Sequence, residues 1–172
     1  MDNPKRIYFV FLVATLAWCL SIIGAPVLHG IGGRVFEPFG NILYYGFSRI
    51  CHQIDARSLH LLGAKFGVCV RCTSIYFSFL AGVVFYPFVR PLKFEKLPDP
   101  RWIIFAVLPM VVDAVLNDLG ILQSNELSRI VTGSISGFVF AFFIVPLFVE
   151  ASNQLLAHRT LQGDSRYARK TQ

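Results

Sequence analysis

Residues 7–28 read IYFVFLVATLAWCLSIIGAPVL, and this stretch decides the class of fold. It carries no charged side chain, and it is longer than the roughly 20 apolar residues that a helix needs to cross a bilayer. Lys5 and Arg6 precede it, as in a signal peptide, but the apolar run is too long for such a peptide and no clean cleavage site follows. The stretch therefore predicts an uncleaved transmembrane helix.

Three further stretches predict membrane spans: residues 66–89, 102–117 and 130–149. The middle one is short and contains Asp113, so it must either extend further or be sheltered by other helices. The composition agrees, because 55% of the 172 residues are hydrophobic and 15% are charged, whereas globular domains carry about 25% charged residues. We expect an all-α polytopic membrane protein in which residues 1–150 form one domain of four transmembrane helices.

The positions of the basic residues predict that both termini lie in the cytoplasm. Residues 90–101 contain four Lys or Arg residues, whereas residues 118–127 contain none. This arrangement places residues 29–65 and 118–128 outside and leaves residues 151–172 as a basic cytoplasmic tail. The net charge of +6 then follows from topology, so the lipid bilayer is the expected partner and nucleic acid is not.

The first outer segment is too apolar for a solvated loop. Residues 35–50 read VFEPFGNILYYGFSRI, which is too short to span the membrane and is interrupted by Pro38 and Gly40. We predict an interfacial or re-entrant helix over about residues 40–50, with its two tyrosines at the level of the lipid headgroups. Such a helix could roof a cavity between the spans, or it could be a plain surface anchor.

Three of the four cysteines fall on the predicted outer side: Cys51, Cys69 and Cys72. The last two form a C-x-x-C at the start of the second span, so their thiolates can bind one tetrahedral metal ion that takes two further ligands. Cys51 and His52 are the first candidates for those ligands, and His60 and Asp55 are held in reserve. Soft ligands of this kind favour zinc, copper(I) or iron, and zinc is the first choice.

The same thiols allow two other uses. The pair at the helix N-terminus lies beside Arg71, and the helix dipole and this charge would lower a thiol pKa, as thiol–disulfide exchange requires. Alternatively, two of the three thiols form a static disulfide that staples a scaffold, which leaves the third thiol free. Cys19 lies in the middle of the first span and is predicted to pack inertly.

A second polar group is predicted at membrane depth near the outer boundary. Ionisable residues there usually face a bundle interior or a cavity and mark a site, so we expect Asp113 to pair with Arg71 or Arg129. Asp113 could act as a base, and the arginines could hold an anion; the alternative is an ion pair that only fixes the register of the helices. The candidate catalytic residues are Asp113, Arg129, Arg71, Arg57, Tyr76 and Asn117.

The functional hypothesis is an outer transition-metal site, structural or catalytic, that serves a small anionic or lipid-like substrate. The inner halves of the predicted spans are almost wholly apolar, which argues against transport by a monomer. Gly133 and Gly137 allow close helix packing, and a homodimer is one use of that face. Whether the protein is an enzyme stays open at this stage.

These motifs together resemble the signature of a prokaryotic family known as domain of unknown function 2085. The residues that carry the resemblance are Cys51-His52-Gln53, Arg57-Ser58, Cys69-x-Arg71-Cys72-Thr73-x-x-Tyr76, Asp113, Ser124-Asn125, Arg129 and Thr132-Gly133. The resemblance covers about residues 40–140, and the chain has Ser74 where we expect a small residue, usually glycine, and Ala114 where we expect glycine. It implies a multi-pass protein of the prokaryotic cell (inner) membrane, and it implies no activity.

Overall fold

The described residues form five α-helices, and a longer connection with a small hairpin joins the second helix to the third. The computed structural model describes residues 3–31, 33–92, 97–121 and 125–170, so Lys93, Lys96 and Ser124 of the sequence argument lie outside it. The helices are α1 (Asn3–Ile31), α2 (Gly33–Ser48), α3 (Val70–Val89), α4 (Arg101–Asp118) and α5 (Glu126–Lys170). A turn at Asp55–Arg57 and an antiparallel hairpin of β1 (His60–Leu61) and β2 (Ala64–Lys65) connect α2 to α3. Apart from this hairpin, the all-α class is confirmed.

Three of the described helices are long and apolar enough to cross a membrane. They correspond to Pro4–Gly30 in α1, Val70–Val89 in α3, and Glu126–Leu156 in α5. By the same criterion of length and composition, α4 is not a candidate span, because its 18 residues include two aspartates and an arginine. The structure therefore supports an all-helical membrane protein, and a count of four spans needs a further argument.

The closest packing in the molecule is between α3 and α5, where glycines of α5 meet the backbone of α3. A Cβ atom on Gly137 would lie 2.1 Å from the carbonyl oxygen of Ile75, and one on Gly133 would lie 2.9 Å from that of Arg71. Side chains larger than hydrogen are therefore excluded at both positions. The face that could have served a homodimer is occupied within one chain.

α2 turns back along α1, and it begins earlier than the predicted start near residue 40. The helix continues through Pro38 and Gly40, because Gly40 allows α2 to press against the backbone of α1: a Cβ atom there would lie 3.2 Å from the carbonyl of Ala25. At its other end Phe47 contacts the ring of Trp18, with ring centroids 5.3 Å apart. The C-terminal end of α2 therefore lies beside the middle of α1.

Polar contacts also link α1 to α3 and α4 to α5. α1 meets α3 through Tyr8, whose hydroxyl donates to the carbonyl of Val83 at 2.9 Å. α4 packs on α5 through the buried Ser136, whose hydroxyl donates to the carbonyl of Ala106 at 2.8 Å.

α3 begins at Val70, later than the predicted residue 66, because residues 66–69 complete the connection from the hairpin. The amide of Gly67 in that connection donates to the Ile22 carbonyl at 3.2 Å.

Candidate functional site

The turn after α2 is held by Gln53, which lies in the left-handed region with φ of 49°. Its carboxamide donates to the carbonyls of Tyr44 and Gly67, each at 2.8 Å. Lys65 in turn donates from Nζ to the Gln53 carbonyl at 2.9 Å. A non-glycine residue at positive φ is uncommon and strained, so these three bonds are what fix the turn. They hold together the connection between α2 and α3, in which Cys51 lies.

The three thiols that were predicted on the outer side converge at the N-terminus of α3. The sulfur atoms of Cys51, Cys69 and Cys72 all lie within 4.8 Å of one another, and all three cysteines are free thiols. Cys51 is also tied to the backbone there, because its Sγ accepts the amide of Cys69 at 3.2 Å. Three thiolates around a tetrahedral zinc ion, each at about 2.3 Å, would have sulfur atoms about 3.8 Å apart. Small side-chain adjustments would bring this cluster to that spacing.

The electrostatics of the cluster favour one ionised thiol. The hydrogen bond from the Cys72 thiol lowers the pKa of Cys69 to about 5, although burial opposes this change. The thiolate is the form that binds metals and that acts as a nucleophile. The cluster is therefore prepared for either metal binding or thiol chemistry.

The other predicted ligands lie outside this cluster. His52 is exposed, and it lines the same cavity as the thiols. His60 and Asp55 contact each other at 3.4 Å on the exposed hairpin side of the loop. Within the part of the chain that the structure describes, only the three thiols come together as a group of metal-binding side chains.

The predicted ion pair of Asp113 is present, and Arg71 is a partner of this carboxylate. A guanidinium Nη of Arg71 donates to one carboxylate oxygen of Asp113, and the hydroxyl of Ser128 donates to the other. The two charged side chains are 23% and 13% exposed. The Nε of Arg71 is buried without a hydrogen-bond partner, and no other side-chain N or O atom of the described residues is in that position.

Thiols and arginines share the wall of one cavity of about 270 Å³. Its polar lining consists of the three thiols, His52 and Gln53, and the guanidinium groups of Arg57, Arg71 and Arg129. No carboxylate of the described residues lines it. The cavity is therefore basic, and it suits an anion placed within reach of the sulfur atoms.

Two predicted site residues do not line this cavity, although Tyr76 packs against the cluster that contains Cys51. Tyr76 lies one turn deeper than Cys72, where its carbonyl accepts the thiol of Cys19 at 3.4 Å. Asn117 donates to the side chain of Asp118 at 3.4 Å near the end of α4. Sequence reasoning also missed the roles of Gln53 and Ser128. The signal for Gln53 was present in the Cys51-His52-Gln53 triplet, whereas nothing in the pattern marked Ser128.

Comparison with known proteins finds a family model that matches this chain. The family described as "predicted membrane protein", domain of unknown function 2085, matches residues 51–143. The chain belongs to this family. The match includes the three clustered cysteines, the ion pair and the arginines of the cavity, so the candidate site lies within the segment that matches domain of unknown function 2085.

Two similar proteins are archaeal and uncharacterised. One, from Methanocaldococcus jannaschii, is 38% identical over 148 residues, which cover 85% of this chain and 95% of that protein. The other, from Methanothermobacter thermautotrophicus, is 30% identical over 95 residues, which cover 55% of this chain and 84% of that protein. No solved structure matches this chain. The function of the family must therefore be argued from the site.

Proposed function

We propose that this protein of the domain of unknown function 2085 family spans the cell membrane four times and binds a transition metal ion at its outer face. The ligands are Cys51, Cys69 and Cys72, and zinc is the first choice of metal. The same cavity holds an anion against its arginines. The observation that carries the proposal is the convergence of three free thiols within 4.8 Å in a basic cavity.

α4 is the fourth span in this proposal. Its 18 residues cover about 27 Å at about 1.5 Å per residue, which approaches the roughly 30 Å of the hydrocarbon core. Its one interior charge, Asp113, is paired with Arg71 rather than turned outward. Its outward side chains are apolar and exposed: Trp102, Ile104, Phe105, Leu108, Val112 and Val115. Lipid is the environment that suits such a surface.

Three protein ligands leave one position of a tetrahedral ion to be filled. Because the cluster lies in the cavity wall, a water or substrate atom in the cavity can take this position, as in catalytic zinc sites. A rotation of His52, which lines the same cavity, would instead close the site and make it structural. Either arrangement binds the same metal through the same sulfur atoms.

The arginines provide the anion site. Arg71 is oriented by Asp113, so this carboxylate supports an orienting role more directly than a role as a base. Its buried Nε lacks an acceptor, and a buried donor without a partner costs about 1–3 kcal/mol. An anion that accepts from Nε and is also held by Arg57 and Arg129 would remove that cost.

The metal is tested by elemental analysis of detergent-purified protein together with a count of free thiols. We expect about one zinc, copper or iron ion per chain, lost on substitution of Cys51, Cys69 or Cys72 by serine. Cys19→Ser is the matched control, because Cys19 is buried away from the cluster and should leave the metal in place. Protein with all three outer thiols intact and no transition metal would end the proposal.

The anion is tested in metal-stripped protein by the rate at which a small maleimide alkylates the outer thiols. Inorganic phosphate should slow alkylation in the unsubstituted protein, since both molecules occupy one cavity. Arg57→Gln should remove this protection, and Arg49→Gln should not, because Arg49 is exposed and contacts Tyr45 outside the cavity. Equal protection in both variants would contradict an anion site at these arginines.

A second candidate function is thiol–disulfide exchange, and the lowered pKa of Cys69 favours it. Cys69 and Cys72 would pass two electrons and two protons to a disulfide of a partner protein, with Cys51 as a third thiol in reach. Metal-free protein whose Cys69–Cys72 disulfide forms and is reduced reversibly would support this function over the first. A permanent Cys51 disulfide without metal would instead indicate a stapled scaffold.

A further inference from the structure

An apolar groove runs down the molecule from the basic cavity. It has a volume of about 420 Å³ and lies between α1, α3 and α5. Its lining includes Phe11, Trp18, Tyr76, Phe79, Phe140 and Ile144. Each of these belongs to a helix that is long and apolar enough to span the membrane. The groove therefore lies at membrane depth, where hydrocarbon is the surrounding solvent.

Ile75 lines both the cavity and the groove, so the two are adjacent. Cys72, Ile75 and Phe79 follow one another on α3 at spacings of three and four, which places them on one face of the helix. From Cys72 in the cavity to Phe79 in the groove is about 10 Å at about 1.5 Å per residue. That distance covers much of one leaflet, whose hydrocarbon is about 15 Å deep.

The two spaces differ sharply in chemistry. The cavity presents three guanidinium groups and the buried, unpartnered Nε of Arg71, all of which favour an anion with several oxygen acceptors. The groove presents aromatic and aliphatic side chains, with only Thr15 and Tyr76 bearing side-chain hydroxyls. One molecule that matches both has an anionic head and a hydrocarbon chain.

The loose packing between α3 and α4 leaves room for such a molecule. Among the described helices, α4 packs extensively against α5. Its contact with α3 is mainly the Arg71–Asp113 pair. Met110 of α4 and Ile75 of α3 both line the cavity. A ligand held in the bilayer can therefore reach the cavity from the side, without leaving the membrane.

We propose that the cavity and the groove together bind one phosphate-bearing lipid of the outer leaflet. The phosphate lies against Arg57, Arg71 and Arg129, and one hydrocarbon chain lies in the groove beside Trp18 and Phe79. The inference rests on the anion site proposed above, and it does not depend on the metal. It names the substrate class of the site: a lipid phosphate, whose head is held next to the thiol cluster.

Trp18 provides the test, because it lines the groove and its fluorescence is quenched by bromine atoms on a lipid chain. The protein carries Trp102→Phe so that Trp18 is the single reporter, and it is placed in phosphatidylcholine nanodiscs. A small fraction of the lipid is replaced either by phosphatidic acid with brominated chains or by phosphatidylcholine with the same brominated chains. We expect the phosphatidic acid to quench Trp18 at a mole fraction about tenfold lower, since the phosphate head gains charge-assisted hydrogen bonds.

Matched variants locate both ends of the lipid. Arg57→Gln should bring the mole fraction needed with phosphatidic acid close to that with phosphatidylcholine, and Arg49→Gln should leave the tenfold difference unchanged. Ala14→Phe fills the groove and should abolish the preferential quenching. Ala17→Phe adds the same ring on the same helix at an exposed position outside the groove, and it should not.

The outcomes separate this inference from the proposal on which it rests. Phosphate protection of the thiols without any preference of Trp18 for brominated phosphatidic acid would overturn the lipid inference and leave the anion site standing. Loss of both would overturn both. Preferential quenching that survives Ala14→Phe would also overturn the inference, because the chain would then lie elsewhere. Metal content, measured on the same samples, reports on the thiol site separately.

Discussion

The carboxylate of Asp113 contacts both α3 and α5, because one of its oxygens accepts from Arg71 and the other from Ser128. A carboxylate that is only 13% exposed is stabilised by such contacts, because burial without partners is costly. The carboxylate therefore fixes both the fork of Arg71 and the register of α4 against α5.

Asp113→Asn tests this role, because it keeps the shape and removes the charge that balances Arg71. Removing one partner of a fully buried pair costs about 3–5 kcal/mol. Because these side chains are 23% and 13% exposed, we expect a smaller loss, about 2–3 kcal/mol. Thermal unfolding in detergent measures the change. Asp118→Asn, at the exposed end of α4, is the control, and equal losses in the two variants would contradict the role given to the pair.

Gln53 and Leu62 give a second test at the residue scale, because both lie at positive φ and only Gln53 has structural hydrogen bonds from its side chain. Glycine relieves the conformational strain at either position. We expect Leu62→Gly to leave stability unchanged within about 1 kcal/mol. Gln53→Gly should lose about 2 kcal/mol from its two side-chain bonds and speed alkylation of Cys51. If the two variants behave alike, the carboxamide does not hold the turn.

Among the elements, α5 shows how a short pattern can decide the packing of long helices. Gly133-x-x-x-Gly137 is visible in the sequence, and close packing was predicted for it. Which helix it would meet was not predictable, because an intrachain partner and a second chain satisfy the same pattern. The structure gives that partner as α3, with the backbone at Ile75 and Arg71 in contact.

Gly137→Ala should separate α3 from α5, because its Cβ would fall 2.1 Å from the Ile75 carbonyl oxygen. Overpacking usually costs about 1–3 kcal/mol, and a clash with backbone belongs at or above the upper end. Gly46→Ala in α2 is the control, since a Cβ atom at that position would have no neighbouring atom of the described residues within 4 Å. That change should stabilise by about 0.5–1 kcal/mol through helix propensity. Thermal unfolding of both proteins decides the matter, and a neutral Gly137→Ala would mean that the helices are further apart.

α2 and the site show where the sequence was informative and where it was not. Clustering of Cys51 with Cys69 and Cys72 was predicted from the position of C-x-x-C near the start of a span and from the outer placement of Cys51. The start of α2 was placed too late, because Pro38 and Gly40 interrupt a helix considered alone. Packing against Ala25 and His29 is a tertiary effect that makes a glycine at position 40 favourable, and no local rule contains it. The exposed position of His52 likewise depends on the turn that Gln53 holds.

At the scale of the whole molecule, the number of spans determines which groups face which side of the membrane. α4 is the element in question, because residues at its two ends, Leu97 and Ile121, lie on the same side unless α4 crosses. Both residues are exposed, at 41% and 64%, so a reporter cysteine at either position is accessible to solvent.

We expect Leu97→Cys to react with a membrane-impermeant maleimide only from the cytoplasmic side, and Ile121→Cys only from the outside. The native cysteines are replaced or blocked beforehand. The reason is that a crossing helix must separate its ends, and the basic loop around Leu97 is retained inside. The measurement compares the labelling of intact cells with the labelling of inverted membrane vesicles. Reaction of both reporters from one side would show that α4 does not cross, and reaction of both from the reversed sides would invert the topology.

The thiol cluster is assembled from parts of the chain that are made at different times. Cys51 follows the return helix, Cys69 and Cys72 open the next span, and the Gly67 amide is anchored to the Ile22 carbonyl. While the chain is being synthesised, Cys51 emerges 18 residues ahead of Cys69, so at first it has neither of the two thiols that lie beside it in the folded protein. The cluster can therefore form only after α1, α2 and the hairpin have brought Cys51 to the N-terminus of α3, so three neighbouring thiols are a marker that this part of the chain has folded.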